Sequence, residues 1–239
     1  MEMELVASDA AYRRDNIEYI YKTLKKAFKS AGGRSRTEER DGRYEFIATL
    51  PAEAERFLRP TLEDKIADVV AVNYKYEFFR RTVKASGLKS AEYEILLSAL
   101  IAADIEDDKR YVISRLAEPY AIDGSFTFLM KPLKKKWTEV VGFIPAYFCS
   151  DQLRDFVSYI VGEKKGKRVY VAGGGVFDDR YNKLDRAFLA GGGETKLIKE
   201  ILLSSSGEVE VDRKISETDE YYLKEFFGDK IFFGKGYFS

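Results

Sequence analysis

Apolar positions along this chain keep two different periods, and the alternation between them predicts its elements. Glu2–Ala7 alternates as a short strand. Beyond it Ile17, Ile20, Tyr21, Leu24, Ala27 and Phe28 share one helical face, with Asp9 placed to cap the helix and Gly32–Gly33 placed to end it. A charged loop to Arg43 then leads into Tyr44–Leu50, a β-prone run closed by Pro51. The first fifty residues read strand, helix, strand.

The middle of the chain is helical in period. Leu62, Ile66, Val69, Val70, Tyr76, Phe79 and Val83 form one stripe, which Thr61 and Asp64 open with a capping pattern and Gly87 breaks. Ser90 starts another helix with Tyr93, Leu96, Leu97, Leu100 and Ile101 on its buried side. The acidic cluster Asp104, Glu106, Asp107 and Asp108 follows; the period resumes at Tyr111–Leu116 and stops at Pro119. From about Ser125, Leu129, Leu133, Trp137, Val140 and Ile144 step at helical spacing, with Pro132 in the first turn. Pro145 separates this helix from one capped by Ser150, with Leu153, Phe156, Val157 and Ile160 on its face.

After Gly166 the strand rhythm returns. Arg168–Ala172 is a strand, Gly173–Gly175 a turn or bulge, and Gly191–Gly193 a loop. Between them Asp179–Leu189 fits an irregular strand, a loop or a short helix. Thr195–Ser204 reads as a helix, Glu208–Val211 as a strand, Thr218–Phe227 as a helix and Lys230–Phe233 as the last strand. The fold class is therefore α+β, with short α/β regions at both ends of the chain flanking an all-helical middle. The divisions fall at 1–60, 61–166 and 167–239, and the three parts can form one continuous domain.

Composition narrows the chemistry. The chain has 239 residues, is 45% apolar and 14% aromatic, and so can bury a sizeable core. Lys+Arg and Asp+Glu balance at 40 each, so any polyanion contact must rest on a local patch. There is no His, which removes Ser-His-Asp and Cys-His catalysis and the usual zinc sites. One Cys, an acidic start without a signal-peptide pattern and no apolar run long enough to span a bilayer fit a cytoplasmic protein.

One stretch carries a family likeness. The run Gly124, Ser125, Phe126, Thr127, Phe128, Leu129, Met130, Lys131, together with the helix ETKLIKEILLS before the last strand, resembles the YtxC-like sporulation proteins of spore-forming Firmicutes. Gly124, Phe128 and Lys131 match that family's G-F-x-x-F-R-L-K pattern, whereas Ser125, Leu129 and Met130 depart from it. The resemblance implies a bacterial, spore-former context and a biochemical role that the family itself does not define, and it supplies no catalytic residue. Together with the missing catalytic repertoire it makes a non-enzymatic protein acting through protein contacts, with no cofactor or metal, the leading expectation.

Each candidate site has a plainer structural reading. Lys131, Lys134, Lys135 and Lys136 beside Trp137 can neutralise phosphates while the ring stacks a base, which makes nucleic-acid binding the alternative function. On a helix, however, Trp137 shares the apolar face and the lysines form a solvated one. The cluster Asp104–Asp108 offers oxygen ligands for a divalent ion and hence a carboxylate-dependent enzyme, but lacks the calcium-loop spacing. A surface face or a bridge to the lysine run is the simpler role. The triplets Gly173–Gly175 and Gly191–Gly193 match no phosphate-loop fingerprint, although the second precedes a helix; turn chemistry accounts for both. Cys149, with no His to activate it, reads as a structural thiol. The interaction candidates are therefore Gly124, Phe128, Lys131, Lys134, Lys135 and Lys136, and the expected partner is a protein.

Overall fold

The computed structural model describes residues 2–123, 130–164, 166–212 and 215–234. The fold is α+β, as the periodicity predicts, and the chain divides into two compact units. One comprises Met1–Lys75 with Glu106–Glu139, the other Tyr76–Ile105 with Val140–Ser239.

The first unit is built on a four-stranded sheet. Strands β1 (Glu2–Ala10), β2 (Arg34–Arg40), β3 (Arg43–Pro51) and β4 (Tyr120–Ala121) lie in the order β2-β3-β1-β4, with β1–β4 the parallel pair. Helix α1 (Arg14–Ser30) covers this sheet. Its inward stripe of Ile17, Ile20, Leu24 and Phe28 is sealed, each side chain worth roughly 2 kcal/mol of transfer free energy. Phe28 meets Phe46 of β3 edge to face at 5.6 Å. Two expectations are corrected here. The charged stretch before Arg43 is not a loop but the edge strand β2, whose RSRTEER sequence pairs with β3 on one side only. Asp9 does not cap α1; it lies buried in β1, and α1 begins at Arg14 after a short 3-10 turn.

Helix α2 (Ala52–Asp68) begins nine residues before the expected Thr61 start and runs through Pro60. A proline inside a helix forfeits one backbone bond and is costly. Neighbouring side chains offset this: Arg59 pairs with Glu55 one turn back and also with Glu118 and the Tyr120 hydroxyl. A π-helical segment, Val69–Tyr74, follows, and α3 (Lys75–Thr82) continues from it. Its wider turn re-phases the helix, so that Tyr74 and Lys75 are both buried next to Val69–Val72. Helix α5 (Ile105–Ile113) contains most of the acidic cluster instead of following it. Helix α6 (Lys131–Gly142) has Pro132 in its first turn as expected; the predicted start near Ser125 lies outside the described residues.

The second unit has its own five-stranded sheet, ordered β7-β6-β5-β8-β9. Its strands are β5 (Arg168–Ala172), β6 (Gly175–Phe177), β7 (Lys183–Leu184), β8 (Glu208–Val211) and β9 (Ile231–Phe233). Gly173 and Gly174, with φ of 56° and 73°, form the two-residue hairpin turn that a right-twisted strand pair requires. The terminal strands therefore build two sheets, not one. The unit's helices are α4 (Ser90–Ala102), α7 (Ser150–Glu163), α8 (Lys196–Leu203) and α9 (Glu217–Phe227). Cys149, not Ser150, takes the N-cap position of α7, and the Ser150 hydroxyl donates to Glu92 at 2.8 Å. No helix among the described residues is long and apolar enough to cross a membrane.

Candidate functional site

The lysine run singled out by the sequence is divided by the fold. Trp137 is fully buried and donates its indole N–H to Asp108 at 2.9 Å, so its ring offers no stacking surface. Lys136 turns to the same carboxylate at 2.8 Å, which is the bridge between acidic cluster and lysine run that the sequence allows. Lys131 and Lys135 are exposed and Lys134 is half-buried. Gly124 and Phe128 lie outside the described residues.

The acidic cluster is likewise dispersed. Asp107 pairs with Arg110 on the surface, while Asp108 points inward to Lys75, 2.7 Å away, with both side chains fully buried. Lys109 reaches back to α2, meeting Asp64 at 2.7 Å and the buried Asp68 at 2.8 Å. The buried acids Asp108 and Asp68 are thus matched to ammonium groups, which is what burial of a carboxylate requires. Among the described residues no group of three or more potential ligands is placed to hold a metal ion.

A basic cleft lies elsewhere in the same unit. This cleft of about 580 Å³ between α1 and β2 is lined by Tyr21, Lys25, Lys26, Lys29, Gly33, Arg34 and Ser35, with no carboxylate in the lining among the described residues. Local sequence explains the convergence. Lys22, Lys25, Lys26 and Lys29 recur at helical spacing on the side of α1 turned away from Ile17, Ile20, Leu24 and Phe28. The chain then reverses at Gly32, whose φ of 79° is left-handed, and Gly33 donates its N–H to Phe28 at 2.9 Å. That tight reversal returns Arg34 beside the last turn of α1.

The electrostatics leave the cations that line the cleft largely uncompensated among the described residues. Arg34 has Glu2 at 3.8 Å, a wide surface contact worth little. Lys25, Lys26 and Lys29 have no carboxylate partner among the described residues, and Lys25 lies 5.5 Å from the Tyr21 ring. Lys22–Lys26 and Lys25–Lys29 are like-charge pairs one turn apart, each costing roughly 0.2–0.5 kcal/mol. A lysine in the last helical turn is favourable to the helix dipole, which explains Lys29. It does not explain Lys22 and Lys25, nor the arrival of Arg34 from a different element.

Sequence reasoning passed over this cleft because the Lys131–Lys136 run is denser in the linear chain. The available signal was the three-and-four spacing of lysines in KTLKKAFKS opposite an apolar stripe. Comparison with family models, curated proteins and solved structures finds no match to this chain. The reading of the cleft therefore stands on its geometry and charge.

Proposed function

We propose that the N-terminal unit binds single-stranded nucleic acid, with the phosphate backbone lying in the cleft between α1 and β2. The observation that carries this reading is the convergence of Lys25, Lys26, Lys29 and Arg34 on one cleft whose lining has no carboxylate among the described residues. Clustered cations bind phosphates by releasing condensed counterions, independently of sequence. The cleft is concave, which suits a flexible single strand; reading a duplex groove uses a protruding helix or ribbon. Tyr21 in the same lining supplies a ring for a base. This moves the nucleic-acid alternative from Lys131–Lys136 to α1 and β2. The protein-contact reading draws on Phe143 and Tyr147, 85% and 65% exposed on the segment after α6, but those side chains select no partner chemistry.

The test is fluorescence anisotropy of a labelled oligonucleotide of about 12 nucleotides, titrated with the full chain across a salt series. Four phosphate contacts predict a slope of log affinity against log salt of about −2.8. Absence of binding at about 50 mM salt, or a slope near zero, overturns the reading.

A further inference from the structure

We propose that a second cleft, in the C-terminal unit at the start of α8, is an oxyanion site that takes the phosphoryl group of a small molecule. It measures about 400 Å³, within the range of small-ligand pockets and larger than a bare phosphate needs. Its floor is the loop Gly191–Gly193, which opens into Thr195 and α8.

The decisive feature is Thr195. It occupies the N-cap position of α8 and is only 3% exposed, yet its side chain makes no capping bond. Its hydroxyl has no hydrogen-bond partner among the described residues, although it lines the cleft. The hydroxyl oxygen itself is not sealed off, so a molecule in the cleft can reach it, and a cap residue that does not cap is unusual. The Lys196 amide already donates to the Gly193 carbonyl at 3.1 Å, so a ligand acceptor would take the Thr195 hydroxyl beside a helix start whose dipole favours negative charge.

Two cations face the same space. Lys199, one turn into α8 and 1% exposed, gives its ammonium to Glu94 at 3.2 Å and to the Ala190 carbonyl at 2.7 Å. These use two of its three N–H donors, and the ammonium also lies 5.6 Å from the centre of the Tyr76 ring. Arg80 of α3 is exposed at the rim with no carboxylate partner among the described residues. Two acids also line the cleft. Glu94 is held by Lys199 and by the Tyr76 hydroxyl at 2.8 Å, while Glu194 lies on the exposed loop. Burial draws the Lys199 ammonium below its usual pKa, with Glu94 opposing that shift. At Gly191 the loop is tight: a Cβ there would sit 2.9 Å from the Tyr76 hydroxyl oxygen.

This site is independent of the basic cleft on α1 and β2, and the experiment separates them. Backbone amide spectra of the full chain are recorded during titration with inorganic phosphate, against chloride at matched ionic strength. The expected result is saturable movement of the amides from Gly192 to Ile198 with phosphate and not with chloride. Thr195→Val, which keeps the side-chain shape, and Arg80→Met, at an exposed position, should each weaken that binding roughly tenfold. Equal effects of the two anions, movement confined to Lys25–Arg34, or unchanged affinity in Arg80→Met overturns the proposal.

Discussion

The ammonium of Lys75 lies 2.7 Å from the carboxylate of Asp108, and neither side chain reaches solvent. The pair exists because the π-helical turn Val69–Tyr74 sets the phase at which Lys75 leaves the helix axis. Asp108 also accepts from Trp137 and Lys136, so one carboxylate joins α3, α5 and α6 within the N-terminal unit. Removing one partner of such a pair strands a buried charge. Lys75→Met should therefore destabilise the protein by about 3 kcal/mol, and Asp108→Ala by at least as much. Urea unfolding measures this as a lower midpoint at unchanged slope. A midpoint equal to that of the wild type would contradict the assignment.

Asp9 gives a pH signature. It is buried in β1, accepting from Asn16 at 2.8 Å and from the Tyr74 hydroxyl at 2.9 Å. Burial raises its pKa above the ordinary carboxylate value, with these donors and Arg13 pulling the other way. A carboxyl raised in the folded state holds its proton more tightly when folded. Its contribution is therefore present below the ordinary carboxylate pKa and lost as pH rises through the raised one. Asp9→Asn mimics the protonated form. Between about pH 3.5 and pH 6.5 the stability difference should move in the variant's favour. Chemical denaturation at each pH measures it, and a flat or opposite trend would count against this account.

Gly33 sets the reversal that brings Arg34 to the basic cleft. A Cβ there would lie 2.8 Å from the Thr49 carbonyl oxygen and 3.2 Å from that of Phe28, both backbone atoms. Neither can yield without parting β2 from its neighbours. Gly33→Ala should lower stability by about 1–3 kcal/mol and weaken oligonucleotide binding with it. Thermal unfolding by circular dichroism reads the first effect; an unchanged Tm would show that the reversal is looser than described.

Much of the fold was legible because its elements obey one period each. The α1 stripe, the Arg168–Ala172 strand, the Gly173–Gly174 turn and the last βαβ passage all carry their signals locally. What was missed depended on distant partners. RSRTEER has no apolar alternation, because an edge strand with polar residues on both faces is specified by its pairing with β3. Pro60 reads as a helix boundary until Arg59 is seen to meet Glu55, Glu118 and Tyr120. The π segment is hidden in the nearly uniform apolar run VVAV. The sites followed the same logic. Trp137 was legible as core from its spacing, whereas the basic cleft joins a helix to a strand that local patterning did not reveal.

The most direct test of the functional account compares two charge reversals in the same oligonucleotide assay. Lys25→Glu with Lys29→Glu alters the cleft, while Lys131→Glu with Lys135→Glu alters exposed lysines of α6. Anisotropy across a salt series should show the first double variant losing roughly tenfold or more in affinity, with a salt slope shallower by about 1.4. The second should stay within about twofold of the wild type. Wild-type affinity in the first variant, with binding lost in the second, would contradict the assignment of the site to α1 and β2.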